Sequence, residues 1–158
     1  MRVRNAVPDD AEAIARVQVR SAQDGFAGIF TVEALASLDP GPRVALWRER
    51  LPLVAEEEGE VVGFVHVGPS DEEPVGEVYR LFVLPERWGT GVGRALMERA
   101  LEQLRAAGFA EATLWVHEDN PRARRFYEAG GWRLDGAEKE LEQFDIRVTE
   151  VRYRISLR

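Results

Sequence analysis

The sequence predicts an α/β domain (α+β by some schemes) with a mixed central sheet of about six to seven strands flanked by helices. A β-hairpin in the first half indicates antiparallel pairing, and a strand–helix–strand step in the middle indicates one parallel pair. Two further strands close the chain. The length of 158 residues and a hydrophobic fraction of 45 % fit one domain of ordinary size with a real core.

The first half of the chain is predicted to hold one strand, three helices and the hairpin. In order, these are a strand over 1–6, a helix from Pro8 to about Ser21, a loop over 23–30, a short helix from Thr31, a helix over 42–51, and hairpin strands over 53–57 and 61–67. Pro8 and the acids after it suit a helix start, because the helix dipole favours negative charge there. Thr31 is a plausible N-cap.

The second half alternates strands and helices. Its predicted segments are a loop over 68–74, a strand over 77–84, a helix over 92–107, a strand over 112–116, a helix from Asn120 to the Gly130-Gly131 pair, and strands over 132–134 and 148–157. The long helix is amphipathic, since Val92, Leu96, Ala100 and Leu104 are spaced by four residues. Asn120 suits an N-cap, and the proline after it suits the first helical position.

Composition excludes several classes of protein. The chain has no cysteine, so disulfides, thiolate metal sites and a cysteine nucleophile are excluded. His66 and His117 are too few for a histidine-rich metal site, and no metal is expected. The formal charge of −7 argues against nucleic-acid binding. No apolar run is long enough for a membrane span or a secretory signal, so a cytoplasmic protein without a membrane partner is expected.

Residues 88–93, Trp-Gly-Thr-Gly-Val-Gly, join the predicted strand to the long helix. Free backbone N–H groups and the helix dipole make such a turn an anion site, and glycine lets a phosphate approach closely. A tight turn without a ligand is the alternative. A Walker loop requires a lysine that is absent here. The dinucleotide-binding pattern Gly-x-Gly-x-x-Gly does not match, because its third glycine is absent here. That pattern also normally opens a βαβ unit, whereas about eighty residues precede this turn.

Residues 77–132 resemble the GNAT superfamily of N-acetyltransferases, first through this turn. The coenzyme A loop of that family has the pattern Gln/Arg-x-x-Gly-x-Gly/Ala, which the chain matches at Gly91 and Gly93. Trp88 stands at the first position, where the family has Gln or Arg, and is expected to pack against the protein. In the family, most phosphate contacts come from backbone N–H groups.

A second motif carries the same resemblance. An asparagine that opens a helix with Phe-Tyr is typical of the family, and residues 120–127 repeat it, with Gly131-Trp132 following. The resemblance implies a GNAT-like N-acetyltransferase domain over 1–158, with a splayed parallel strand pair at an acetyl-CoA site. The residues expected at the cofactor are Leu81, Phe82 and Val83 through their backbone, then Gly89, Thr90, Gly91, Val92, Gly93, Arg94, Asn120, Arg125 and Tyr127.

An acidic protein needs local positive charge to bind an anionic cofactor. Five arginines surround the two motifs, namely Arg87, Arg94, Arg122, Arg124 and Arg125. Some of them are expected only to solvate helix faces. We expect two or three to reach phosphates, Arg94 and Arg125 first among them.

Glu77 is the candidate general base. It lies six residues before Val83, where the resembling family often has a strand glutamate. On a two-residue period its side chain shares a face with Tyr79, Leu81 and Val83, and burial there would raise the carboxyl pKa. A glutamate at a solvated strand start is the alternative. Arg80 is expected on the opposite face, in a structural or solvent-facing position.

Tyr127 is implied by the resemblance to be the general acid that protonates the coenzyme A sulfur. The alternative is a core aromatic beside Phe126. Asn120 has a helix-cap interpretation and a cofactor-contact interpretation, which are compatible. His117 follows the 112–116 strand and could be a site residue, although a lone histidine is more often structural.

The predicted reaction is direct transfer of acetyl from acetyl-CoA to a primary amine in a ternary complex, with coenzyme A as product. The acceptor is expected to be a small amine, an amino acid or a protein N-terminus. It would bind near Asp24, Phe26, Phe30 and Trp47, although aromatic residues there could also fill the core. The main alternative is a non-catalytic acyl-CoA-binding or regulatory module. A homodimer through the last strands is possible.

Overall fold

Seven strands and five α-helices make up the chain in a computed structural model that describes residues 1–158. The strands are β1 (Arg2–Asn5), β2 (Leu53–Glu57), β3 (Glu60–Pro69), β4 (Gly76–Val83), β5 (Glu111–His117), β6 (Arg133–Gln143) and β7 (Ile146–Ser156). The helices are α1 (Ala11–Gly25), α2 (Val32–Ala36), α3 (Gly41–Arg50), α4 (Val92–Ala106) and α5 (Pro121–Ala129). No helix combines the length and the apolar character needed to cross a membrane.

The strands form one mixed sheet in the order β1-β2-β3-β4-β5-β7-β6. Every neighbouring pair is antiparallel except β4 and β5, which run parallel. That parallel pair is bonded only at its start, where Gly76 aligns with Ala112 and Glu77 with Thr113. The two strands then diverge, so the predicted fold class is confirmed together with its splayed strand pair.

The two faces of the sheet bury separate cores. Helix α4 packs on one face through a side that includes Leu96, Ala100 and Leu104, as the four-residue spacing predicts. Helices α1 and α3 pack on the other face, where the fully buried Trp47 contacts Phe64 edge-on at 4.9 Å between ring centroids. The sheet therefore separates the α4 side from the α1/α3 side.

The N-caps read from the sequence are present. The Thr31 hydroxyl accepts a hydrogen bond from the Ala34 N–H at 3.1 Å, and the Asn120 side chain accepts one from the Ala123 N–H at 3.2 Å. Helix α1, however, continues to Gly25, past the predicted end near Ser21.

Strand β6 is much longer than predicted, whereas β7 nearly matches its predicted range of 148–157. Strand β6 was expected to end at residue 134 but continues to Gln143, and β7 begins at Ile146. The sequence of β6 is mostly charged because it is an edge strand with little buried surface, so it shows no apolar alternation. Phe144 and Asp145 form the tight turn of this hairpin, both with positive φ (51° and 63°).

A β-bulge at Tyr79 changes which side chains share a face of β4. Val67 aligns with Val78 and His66 aligns with Arg80, so Tyr79 is the extra residue on β4. The alternation of side chains between the two faces of the sheet is therefore shifted by one residue across the bulge.

The face predicted for Glu77 is wrong for this reason. Glu77 aligns with Gly68, and Phe82 aligns with Phe64, on the same side of β3 as His66. Glu77 consequently shares the α1/α3 side with Arg80 and Phe82, whereas Leu81 lies on the α4 side. Arg80 is thus on the same face as Glu77, not on the opposite one.

Candidate active site

A cavity of about 1140 Å³ opens where β4 and β5 diverge. Its lining has two parts that are continuous with each other. The first is formed by the glycine turn before α4, the end of β4 and the start of α5. The second is formed by α1, α3, the opposite face of β4, the end of β5 and the β6–β7 hairpin tip.

The glycine turn presents free backbone donors. Gly89 and Gly91 have φ of +75° and +94°, a conformation that glycine adopts without strain. The N–H groups of Gly89, Gly91, Val92, Gly93 and Arg94 have no acceptor in the protein, whereas the Thr90 N–H donates to the Arg87 carbonyl at 3.3 Å. A Cβ added at Gly89 or Gly91 would meet nothing within 4 Å, so the turn faces open space that a phosphate could fill.

The end of β4 offers unpaired backbone groups toward the gap. The Leu84 N–H donates to the Val62 carbonyl on β3 at 2.9 Å. Because groups alternate along an antiparallel strand, Phe82 also pairs with β3, and Leu81 and Val83 point toward β5. Phe82 therefore cannot offer its backbone to a cofactor, contrary to expectation, and only its side chain lines the cavity.

Not every group of Val83 is free. Its carbonyl oxygen already accepts hydrogen bonds from the Ser21 hydroxyl at 2.9 Å and from the Trp88 indole N–H at 2.8 Å. The Val83 N–H and both backbone groups of Leu81 remain for a bound molecule.

The arginines around the two motifs do not all lie where they were predicted. Arg94 lines the cavity and is largely exposed beside Glu98. Arg125 is exposed and does not line the cavity, while Arg124 donates to the Tyr153 hydroxyl at 3.0 Å. Arg122, which lies in the first turn of α5, lines the cavity where Arg125 was expected.

Glu77 is half-buried in the cavity wall and forms no hydrogen bond or ion pair. Burial raises the pKa of its carboxyl. The positive charge of Lys139 opposes the rise, and the negative charge of Asp71 adds to it. A carboxylate with a raised pKa and free oxygens is suited to accept a proton.

Tyr127 lines the same cavity from α5, and its hydroxyl has no hydrogen-bond partner. Burial raises its pKa to about 12, while the positive charge of Arg122 acts in the opposite direction. Tyr127 is therefore a protonated donor at neutral pH. Asn120, which is buried at the start of the same helix, lines the cavity as well as capping α5.

The four residues expected at the acceptor do not lie together. Phe26 and Phe30 line the cavity and contact each other edge-on at 6.1 Å. Asp24 is exposed and lies outside the lining. Trp47 is fully buried, with its indole N–H donating to Gln18 at 2.8 Å, so it supports the cavity wall and cannot contact an acceptor. Both expectations are wrong: Trp47 lies on the face of α3 that packs into the core, and Asp24 lies on the exposed side of α1.

His117 is buried at the end of β5 and lines the cavity. Its Nε2 lies 2.8 Å from the Gln143 side-chain oxygen and 3.8 Å from a Glu150 carboxylate oxygen. Phe26 and Phe30 pack against its ring at 4.9 and 5.6 Å. The imidazole thereby holds the α1 end next to the β6–β7 hairpin.

Sequence reasoning missed a group of basic residues on the acceptor side. Arg43, Arg50, Arg80 and His66 all line the cavity. One signal was available: Arg43 and Arg50 flank Trp47 at helical spacing, which places them on the same face of α3. The bulge that turns Arg80 to this side has no such signal.

Comparison with known proteins agrees with the fold and the turn. The model of the acetyltransferase (GNAT) family matches residues 21–132. An uncharacterized N-acetyltransferase of Bacillus subtilis, YuaI, is 33 % identical over 156 residues, which is 94 % of this chain and 89 % of that protein. The chain belongs to the acetyltransferase (GNAT) family. The family and the enzyme class predicted from the sequence, an N-acetyltransferase, are thereby confirmed.

Two further proteins are similar over different lengths. An uncharacterized N-acetyltransferase of Archaeoglobus fulgidus is 48 % identical over 80 residues, or 48 % of this chain, and the chain spans only 54 % of that relative. The PaiA N-acetyltransferase of Thermoplasma acidophilum, solved in complex with coenzyme A, has a TM-score of 0.77 at 19 % identity. That match covers 98 % of each chain. At this identity the likeness concerns the fold alone.

Proposed function

We propose that the protein transfers an acetyl group from acetyl-CoA to a primary amine by direct attack. The observation that carries the proposal is one continuous cavity. It joins the free N–H groups of the glycine turn to a carboxylate and a phenol, those of Glu77 and Tyr127, that have no partner in the protein. Acetyl-CoA supplies an activated acetyl thioester when it is bound.

The glycine turn fits the pyrophosphate of that molecule. Five N–H groups without an acceptor converge at the start of α4, where the helix dipole adds positive character. Arg94 and Arg122 line the adjacent cavity and supply full positive charge. The free groups of Leu81 and the Val83 N–H would pair with the amide groups of the pantetheine arm.

Glu77 would remove a proton from the attacking amine. A lysine-type amine is only about 1 part in 2,500 neutral at pH 7, and an α-amine is about 10–20 % neutral. A base therefore matters most for the first class of acceptor. The raised pKa of Glu77 brings its basicity closer to what this step requires.

Tyr127 would donate a hydrogen bond to the departing sulfur. A pKa of about 12 keeps the phenol protonated. Complete transfer to a thiolate with a pKa near 8.5, by analogy with cysteine, would be unfavourable. Hydrogen-bond donation is thus better supported than the full acid role. The C–N bond forms as the C–S bond breaks, Glu77 passes its proton to solvent, and the thiolate takes one from solvent.

A thiol-release assay with acetyl-CoA and a panel of amines tests this function. We expect release that depends on the amine, together with stabilisation of the protein by acetyl-CoA in a thermal-shift measurement. Stabilisation without release for any amine would favour the non-catalytic acyl-CoA-binding alternative. Stabilisation only by NAD or ATP would overturn the ligand assignment.

A further inference from the structure

Three arginine side chains converge on the acceptor side of the cavity. Arg43, Trp47 and Arg50 are spaced by four and three residues, so they share one face of α3. The guanidinium carbon of Arg80 lies 5.9 Å from the centroid of the buried Trp47 ring. All three arginines line the cavity.

None of these arginines has an acidic partner. No carboxylate oxygen lies within 4 Å of Arg43, Arg50 or Arg80, and the one polar contact is from the Arg43 side chain to the Asp39 carbonyl at 2.7 Å. The chain has 28 acidic and 21 basic residues, so acids are in excess. Burial and the positive charges of Arg50 and Arg43 hold the pKa of Arg80 below its usual value. The cluster thus lacks the negative charge that would stabilise it.

His66 adds an unpaired polar atom to the same wall. Its Nδ1 is buried without a hydrogen-bond partner. Burial, together with the charges of Arg50 and Arg80, lowers its pKa to about 4, so the ring is neutral at physiological pH. Buried polar atoms are normally satisfied, so this nitrogen is available to a polar group of a bound molecule or to water.

The cluster is not placed to bind the cofactor phosphates. Arg80 shares the α1/α3 side of the sheet with Glu77, as the bulge at Tyr79 dictates. The free N–H groups belong to the turn before α4, which packs on the other side of the sheet. The charge therefore lies beside the proposed base.

We propose that the acceptor is a small primary amine that carries an anionic group, a carboxylate or a phosphate, which Arg43, Arg50 and Arg80 bind. This inference rests on the proposed function. Glu77 and Arg80 align with residues two positions apart on β3, which corresponds to about 7 Å along the strand. An amine at Glu77 and an anion at Arg80 are then separated by few bonds, as in an amino acid or an amino-alcohol phosphate.

The aromatic contacts favour a small acceptor over a protein chain. Phe30, after α1, contacts Phe144 at the β6–β7 hairpin tip, with 5.0 Å between ring centroids. Both residues line the cavity. The two segments that flank the acceptor side therefore touch each other, and a polypeptide acceptor would have to pass around this contact or separate it.

The test compares matched acceptors with and without the anion. Amino acids are assayed beside their C-terminal amides, and 2-aminoethyl phosphate beside ethanolamine, by thiol release at saturating acetyl-CoA. We expect kcat/KM to favour the anionic member of at least one pair by about tenfold or more, because charge-assisted hydrogen bonds are lost in the neutral member. The pair that shows this preference identifies the bound anion as a carboxylate or a phosphate.

Variants assign the preference to the cluster. Arg50→Gln should reduce the anionic preference, which is the ratio of kcat/KM for the anionic member to kcat/KM for the neutral member, about tenfold. Arg48→Gln is the matched control, since Arg48 is exposed on the same helix and does not line the cavity. Arg80→Lys should retain more of the preference than Arg80→Gln. Calorimetric titration of the same amines into the protein–coenzyme A complex reads binding independently of turnover.

The outcomes separate this inference from the function. Equal kcat/KM within every pair, a preference for a peptide N-terminus over the free amino acid, or an anionic preference that Arg50→Gln leaves intact would overturn the anion site and leave acetyl transfer standing. Absence of turnover with every amine would overturn the function. In that case, binding of an anionic amine that Arg50→Gln abolishes would still support the site, and no binding would overturn it.

Discussion

The guanidinium carbon of Arg122 lies 3.6 Å from the centroid of the Trp88 indole ring, within range of a cation–π contact. Trp88 occupies the position where the family pattern has Gln or Arg, and Arg122 lies in the first turn of α5, on the far side of the gap. The indole N–H also donates to the Val83 carbonyl at 2.8 Å. Trp88 therefore fixes a cation beside the glycine turn, although it carries no charge itself.

Removing the indole should weaken cofactor binding through Arg122. We expect Trp88→Ala to raise the Kd for acetyl-CoA about tenfold, because Arg122 loses its ring and the Val83 carbonyl loses a donor. Trp88→Phe keeps a ring but not the N–H, so it should lose only part of the affinity. Titration calorimetry gives the Kd values.

A double-mutant cycle with Arg122→Gln tests whether the two residues act together. The effects should be clearly less than additive, because each substitution removes the same contact. Arg125→Gln is the control, since Arg125 is exposed outside the cavity and should leave the Kd unchanged. Fully additive effects would show that Trp88 does not act through Arg122.

Glu77→Gln should lower kcat/KM by about 10²–10⁴-fold, the usual contribution of a general base. The same change should stabilise the protein. Because burial raises the pKa of Glu77, the folded state binds its proton more tightly than the unfolded state, and stability is lost as pH rises through the folded pKa. Glu77→Gln should therefore have the higher Tm at pH 7.5. The difference should vanish at a pH below the unfolded value of about 4.3.

Two charged neighbours of Glu77 should shift the pH dependence of kcat/KM in opposite directions. The negative charge of Asp71 raises the pKa of Glu77, and the positive charge of Lys139 lowers it. In the parent, kcat/KM should rise with pH as Glu77 loses its proton. Asp71→Asn should move this rise to lower pH, and Lys139→Gln should move it to higher pH. Profiles of kcat/KM between pH 5 and 9 give the shifts, and coincident profiles would remove Glu77 from the base role.

The sequence predicts the elements of this fold well because each has a local cause. The spacing of Leu96, Ala100 and Leu104 defines α4, and the asparagine before Pro121 caps α5. The turn of residues 88–93 presents its free N–H groups from its own backbone, so a short motif is enough to find it.

Tertiary relationships were harder to predict. The bulge at Tyr79 depends on how β3 and β4 align, and it places Glu77 and Arg80 on one face against the two-residue period. The choice of Arg122 over Arg125 depends on how α5 is rotated toward the gap. The charged strand β6 gains its pairing from β7 alone, so its own residues give little sign of a strand.

Two tyrosines on the α5 side should respond differently to loss of their hydroxyl groups. Tyr127→Phe should lower kcat by roughly 10–100-fold with little change in stability, because its hydroxyl has no partner in the protein and would act only on the departing sulfur. Tyr153 is fully buried, and its hydroxyl donates to Glu128 at 2.6 Å and accepts from Arg124 at 3.0 Å. Tyr153→Phe should instead cost about 1–3 kcal/mol of stability and leave kcat near the parent value.

Chemical denaturation and steady-state kinetics on both variants give the comparison. A Tyr127→Phe enzyme with unchanged kcat would remove the hydrogen bond to sulfur from the mechanism. If Tyr153→Phe lost more kcat than Tyr127→Phe, the assignment of this hydrogen bond to Tyr127 would be wrong.

Gly91→Ala separates backbone strain from cofactor binding. Gly91 has φ of +94°, so an alanine there should cost about 1–2 kcal/mol of stability. Its added Cβ would project into the open space beside the free N–H groups and displace a phosphate from them. Loss of one charge-assisted hydrogen bond should raise the Kd for acetyl-CoA about 10–100-fold.

Gly59→Ala is the matched control for this prediction. Gly59 has φ of +81° in the turn between β2 and β3, and an added Cβ would also meet nothing within 4 Å, but the turn is outside the cavity. The two variants should therefore lose similar stability, while only Gly91→Ala loses affinity for acetyl-CoA. Comparable Kd values for the two variants, measured below their unfolding temperatures, would show that the turn does not bind the phosphates. The free N–H groups of α4 would then need another ligand.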